Sequence, residues 1–216
     1  MNKVLIIGGH GKIALLLAPL LTAAGTQVTS VIRNAAHIDE VAATGATPVV
    51  HDVVSSSVAE LADLFAGHDA IVWSAGAGGG EPERTYAVDR DAAIATMDAA
   101  EKAGVERYVM VSYHGAGPDH GVPPENSFYA YAESKAAADA RLREAALAWT
   151  IVGPGSLTLE EPTGLIDTAP VAGTSRGTSR ANTALVIAAV LQRPDTILRT
   201  IEFTDGEVPV EEAIAP

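Results

Sequence analysis

The sequence predicts a doubly wound α/β fold, a parallel sheet covered by helices on both faces. Three observations carry this. Short apolar runs alternate with helix-length segments along most of the chain. The runs are continuously apolar, as in strands buried on both faces, rather than alternating. A glycine cluster stands between the first run and the first helical segment. Such βαβα alternation builds a parallel sheet.

The elements follow in order. Lys3 to Ile7 (KVLII) reads as a strand and Lys12 to Ala24 as an apolar-rich helix stopped by Gly25. Val28 to Ile32 gives the second strand, with a short helix around Ile38 to Ala43, and Thr47 to Val50 the third, followed by a helix over Val58 to Phe65. Ala70 to Trp73 is the fourth strand, and Glu83 to Ala103 a long helix. Arg107 to Val111 is the fifth strand, Ser127 to Leu147 a second long helix, and Thr150 to Val152 the sixth strand. Pro154 to Thr178 is rich in Gly, Pro, Ser and Thr and too long for an ordinary connection, so it is expected to cover a substrate. Ala181 to Leu191 is then a helix, Ile197 to Phe203 a last strand, and Val210 to Ile214 a short terminal turn. No repeat or linker divides the chain, so residues 1–216 read as a single domain with a short C-terminal tail.

Composition narrows the function. The formal net charge of −13 repels a phosphate backbone, so no nucleic-acid partner is expected. No run approaches the ~20 apolar residues of a membrane span, and Ile13 to Leu21 lacks a cleavage-site pattern. The absence of cysteine excludes disulfides, thiolate metal sites and a cysteine nucleophile. A cytoplasmic protein with a small-molecule substrate is the expectation; the oligomeric state is not legible.

Gly8, Gly9 and Gly11 lie directly after the first strand and open the first helix. Gly8 suits the tight turn, Gly11 lets backbone approach a pyrophosphate, and Ala14 keeps helix close to strand. The helix N-terminus offers free N–H groups and a positive dipole end to the anion. A P-loop is excluded, since Lys12 is followed by Ile13 and not by Ser or Thr. A dinucleotide is therefore expected against Gly8, Gly9, His10, Gly11, Lys12 and Ile13. Arg33 ends the second strand, where an acid selects NAD and a cation the NADP 2′-phosphate, which favours NADP(H). Asp52, with Val53 beside it, ends the third strand, where its carboxylate suits an adenine amino group or, equally, a helix cap. Small residues in WSAGAGGG, among them Ala75, Gly76 and Ala77, allow backbone to run beneath the cofactor.

Tyr131 and Lys135, four apart on a predicted helix, share a face. An adjacent ammonium stabilises a phenolate and lowers a tyrosine pKa from about 10, and the same lysine can bond a ribose. Ser112, ending the fifth strand, is the group expected to polarise a carbonyl beside Tyr131. His114, Asp119 and His120 follow it and are expected to face solvent, with no metal; Tyr129 is expected to be a pocket wall, and Trp73 and Trp149 core residues.

These motifs (GGHGKIA, VIRN, His51-Asp52, SAGAG, VMVS, YAESK, TIVGPG and SRANTA) span Gly8 to Ala184. In that order they resemble an atypical short-chain dehydrogenase/reductase of the NAD(P)H-binding, epimerase/dehydratase-like group. The resemblance implies a Rossmann fold, NADP(H), and Ser112, Tyr131 and Lys135 as the catalytic set. Two departures stand out: Gly153 where such enzymes commonly carry arginine, and Asn182 where they carry aspartate. Such enzymes also carry a larger carboxyl-terminal substrate domain, whereas only about sixty residues follow the sixth strand here, so a small or open pocket built from the Pro154 to Thr178 loop and the tail is expected. The leading expectation is an oxidoreductase acting on a small carbonyl or alcohol. The alternatives are an epimerase or dehydratase using the same tyrosine, and a non-enzymatic NADP(H) sensor, a class that generally lacks the Tyr–Lys pair.

Overall fold

The computed structural model describes residues 1–79, 81–168 and 177–216. Its strands are β1 (Lys3–Ile7), β2 (Gln27–Ile32), β3 (Thr47–Val50), β4 (Ala70–Trp73), β5 (Arg107–Val111), β6 (Ala148–Pro154), β7 (Leu157–Thr158), β8 (Leu165–Asp167), β9 (Thr178–Ser179), β10 (Arg199–Asp205) and β11 (Val208–Pro209). The α-helices are α1 (Lys12–Ala23), α2 (Ile38–Ala42), α3 (Val58–Phe65), α4 (Pro82–Thr85), α5 (Ala93–Ala103), α6 (Tyr129–Glu144), α7 (Arg180–Gln192) and α8 (Val210–Ala213).

The main sheet runs β11-β8-β10-β6-β5-β4-β1-β2-β3. Every pairing from β3 across to β10 is parallel, while β8 pairs antiparallel with both β10 and β11. The order 3-2-1-4-5-6 within it reverses direction between β1 and β4, which opens a crevice at the carboxyl ends of those strands. Neighbouring side chains on one strand enter opposite cores. Val4 and Ile6 pack with Leu17 and Leu21 of α1 and Val186 and Val190 of α7; Leu5 and Ile7 pack with Phe65 of α3, Met97 of α5 and Leu142 of α6. Strands β1, β4 and β5 are buried on both faces, which is why they read as apolar runs. Trp73 and Trp149 are buried in the second core.

Three regions differ from the sequence expectation. The Glu83-to-Ala103 helix is not regular: α4 passes through a π-helical stretch over Tyr86–Ala92 before α5. Helix α6 starts at Tyr129 and ends at Glu144, because Ala145 turns extended (φ −72°, ψ 148°). The Pro154-to-Thr178 segment carries β7 and β8, of which β8 extends the sheet edge and β7 pairs with β9. Residues 169–176 of that segment, and Gly80, lie outside the described residues.

Candidate functional site

A cleft of about 350 Å³ opens at the carboxyl ends of β1, β2 and β4. Its floor is two loops in contact. Gly8 has a φ of +83°, and a Cβ there would fall 2.6 Å from the Ala75 Cα. Glycine is needed on both counts: the left-handed backbone, and the approach of the loop after β4. Gly9 donates its N–H to Val31 O at 2.8 Å and presses on Ser30, where a Cβ would meet the Ser30 Cβ at 2.6 Å. Gly11 is different, with ordinary extended backbone (φ −64°, ψ 148°). It keeps the mouth of α1 free of a side chain, and no side chain caps that helix. The N–H groups of the first turn are therefore left without a side-chain cap, behind Gly11 at the edge of the cleft, the kind of end that suits an anion.

Eight expected residues line the cleft: Gly8, His10, Gly11, Arg33, Asp52, Val53, Ala75 and Gly76. Others do not. Gly9 and Ile13 are buried, Lys12 is exposed at the start of α1, and Ala77 is buried with its N–H donated to Asp89 Oδ2 at 2.9 Å. Arg33 is exposed and makes no side-chain hydrogen bond or ion pair among the described residues. Asp52 does not cap α3. Ser57 does, in a reciprocal box with Glu60, while the Asp52 carboxylate accepts the Val54 N–H at 3.1 Å. Asn34, His37 and Arg84 also line the cleft and carried no sequence signal. His10 stacks on His37 with centroids 3.5 Å apart and planes at 11°, and its Nε2 bonds Glu40 at 2.7 Å. These three bring ligand-type atoms within 4.8 Å of one another, yet near-parallel rings send their in-plane lone pairs side by side rather than to one point.

The second part of the site is one face of α6. Tyr131, Lys135 and Asp139 follow at successive four-residue steps, so their side chains stack along one side of the helix. Lys135 is buried, and its Nζ donates to Val111 O at 2.8 Å, with the Met110 Sδ at 3.0 Å. Burial lowers its pKa, opposed by the carboxylates Asp139 and Asp89. Ser112 is buried at the end of β5, and its Oγ donates to Asp139 Oδ2 at 2.6 Å. Asp139 is itself buried, and its Oδ1 has no hydrogen-bond partner. Asp89, 1% exposed, hangs from the π-helical stretch under the Ala75–Ala77 loop and faces both Lys135 and Tyr131. That carboxylate links the cleft loop to this helix face; Ser112, Tyr131 and Lys135 do not themselves line the cleft.

One expectation is overturned here. The tyrosine was to be held low by its lysine; instead burial pushes the Tyr131 phenol well up, and Asp89, Asp139 and Tyr113 add to the rise. Burial is the largest cause, and the Lys135 ammonium is engaged by the Val111 carbonyl of β5. Tyr131 packs with Phe128 (centroids 5.1 Å apart) and Tyr113 (5.6 Å). Asp139 was detectable as the next i+4 position after Lys135. Asp89 was not, because a π-helical stretch leaves no periodic mark.

Both departures from the resemblance have local causes. A Cβ at Gly153 would lie 3.1 Å from both Glu202 Cγ and Tyr113 O, so β10 and the post-β5 loop fill the space. Asn182 is buried at the start of α7, donating to Asp205 Oδ1 at 2.7 Å and accepting the Gly164 N–H at 2.9 Å. An aspartate there would set like charge against Asp205. His114 and Asp119 are exposed, His114 standing 3.8 Å from Glu202, but His120 does not face solvent as expected: its side chain is 5% exposed because Glu133 and the Val122 N–H engage both ring nitrogens. Tyr129 packs its ring edge-on against His120.

A Rossmann-like fold with a glycine loop under an open helix mouth defines a class, the nicotinamide-dinucleotide binders. Residues 8–194 match the family described as NAD(P)H-binding, and the chain belongs to it. It is 32% identical to the uncharacterized sugar epimerase YhfK of Bacillus subtilis over 98% of each chain. Among solved structures it resembles a putative NAD-dependent epimerase/dehydratase from Bacillus halodurans, with a TM-score of 0.89 and 32% identity over 98% of this chain and 97% of that one. The oxidoreductase ylbE from Lactococcus lactis is similar at a TM-score of 0.86 and 29% identity, over 98% and 94%.

Proposed function

We propose that the protein is an NADP(H)-dependent oxidoreductase that reduces a small carbonyl compound, with Tyr131 as proton donor. The observation that carries this is Asp89, which grips the cleft loop through Ala77 and faces Tyr131 and Lys135. This link supports reading the cofactor cleft and the acid–base face as one site, although Ser112, Tyr131 and Lys135 do not themselves line the cleft. The cleft residues fit a phosphorylated dinucleotide. The open N–H groups of α1 suit the pyrophosphate, and the unpaired Arg33 fork suits a 2′-phosphate. When bound, the cofactor supplies the hydride.

The chain's own contribution is proton delivery and polarisation. A phenol held protonated across the neutral range is a competent donor to a developing alkoxide. Lys135, anchored on Val111 O, fixes the helix face against β5 and supplies positive charge between two carboxylates. Ser112 is the second hydroxyl assigned to the substrate oxygen, its hydrogen directed in this structure to Asp139 Oδ2. An epimerase, the name the Bacillus subtilis relative carries, is the second reading and would use the same tyrosine.

The test is NADPH consumption by the purified protein against a panel of small aldehydes, ketones and quinones, with NADH in parallel. Turnover of at least one carbonyl, faster with NADPH, is expected. Tight NADPH binding without turnover of any compound would favour a sensor.

A further inference from the structure

We propose that Asp139 is a positioning residue that sets the direction of the Ser112 hydrogen bond, so that Ser112 donates to a substrate oxygen only when the Asp139 carboxyl carries a proton. This rests on the reductase reading and adds its regulation. Ser112 has one hydrogen, and that hydrogen goes to Asp139 Oδ2 at 2.6 Å. In this state the serine turns only lone pairs toward the site, which cannot polarise a carbonyl oxygen, itself an acceptor. A proton taken up from solvent by the carboxyl reverses the bond. The acid then donates to Ser112 Oγ, and the serine hydrogen rotates free toward the substrate. No bond changes other than this proton uptake.

The surroundings suit a carboxyl that changes state. Asp139 is fully buried, and its Oδ1 is an acceptor without a partner, a costly arrangement for a charged carboxylate and a cheaper one for a neutral acid. From α6 it is faced by Lys135 and Arg143 and lies near Tyr131; from the end of β5 by Ser112 and Tyr113; from β10 by Glu202. Burial pushes the Asp139 carboxyl up and Glu202 adds to it, while Lys135, the Ser112 hydrogen bond and Arg143 pull the other way.

Two measurements test this. The Asp139 side-chain carboxyl carbon, assigned through the backbone by NMR of the full chain with NADPH, is followed against pH. Its midpoint is expected above the ordinary carboxylate range, and higher still in Ser112→Ala, which loses the hydrogen that stabilises the charge. A midpoint within the ordinary range, or one that Ser112→Ala leaves in place, overturns the proposal. The second follows NADPH oxidation with phenanthrenequinone as the probe acceptor. Wild-type turnover should fall about tenfold per pH unit above that midpoint. Asp139→Asn, whose amide donates to Ser112 at every pH, should stay level over the same range. A fall shared by both proteins overturns the proposal. If no acceptor is reduced at any pH, the reductase reading fails, while the carboxyl titration still decides the Asp139–Ser112 coupling.

Discussion

Replacing Arg33 by alanine tests how the cleft chooses its cofactor. Arg33 directly follows β2, is exposed, lines the cleft and is engaged by no acid among the described residues, so the substitution should leave the fold alone. The loss is confined to whatever the cation holds. A charge-assisted hydrogen bond to phosphate is worth about 1.5–3 kcal/mol, and exposure to solvent puts this one toward the lower end. About 1.5–2 kcal/mol corresponds to a 10- to 30-fold weaker complex. Calorimetric titration of wild-type and Arg33→Ala protein with NADPH and with NADH gives four affinities. NADPH should weaken by that factor and NADH by less than about twofold, within the error expected for a lost exposed contact. Equal losses for both cofactors, or none, would refute the assignment. Arg84, also on the cleft, is the control: if Arg84→Ala shows the selective loss instead, that cation holds the phosphate.

Gly8→Ala combines a left-handed backbone with a Cβ 2.6 Å from Ala75, so denaturant unfolding should show a loss of about 2–5 kcal/mol. Gly11→Val adopts allowed angles and should stay folded by circular dichroism, yet lose NADPH binding because its side chain fills the helix mouth; retained binding would reject this loop as the phosphate site. Asp89 has a carboxyl raised by burial, opposed by the Ala77 N–H and Lys135. Between the ordinary carboxylate pKa and this raised one the folded state holds the extra proton, so wild-type stability falls as pH rises through that window. Asp89→Asn lacks this slope, and its melting temperature should gain on wild type across the window and then run parallel; a constant difference from acid to neutral pH would contradict the raised value.

What the sequence made legible follows burial. The ranges Lys3–Ile7, Thr47–Val50, Val58–Phe65, Ala70–Trp73 and Arg107–Val111 all emerged with their observed bounds: β1, β4 and β5 are central and buried, α3 is amphipathic, and β3, half-buried at the sheet edge, still carries the apolar pair Val49 and Val50. Strands β8 and β11 did not: each is two or three residues long, in the antiparallel extension beyond β10, too short for an apolar run to stand out. The cofactor loop was legible for a similar reason, since glycines at 8, 9 and 11 answer close backbone contacts that local sequence must supply. The electrostatics of Tyr131 were not. They depend on Asp89, carried by another element through an irregular helix, and on Asp139, whose spacing was visible but whose burial was not.

The central claim is that Tyr131 gives a proton to a substrate oxygen. Tyr131→Phe removes one hydroxyl and keeps the ring packing with Phe128 and Tyr113. Turnover of a carbonyl found with the wild-type protein, measured beside NADPH affinity for both proteins, is the direct test. A fall of about 10²–10⁴ in turnover with unchanged affinity is the predicted result. Full activity in Tyr131→Phe would contradict the account.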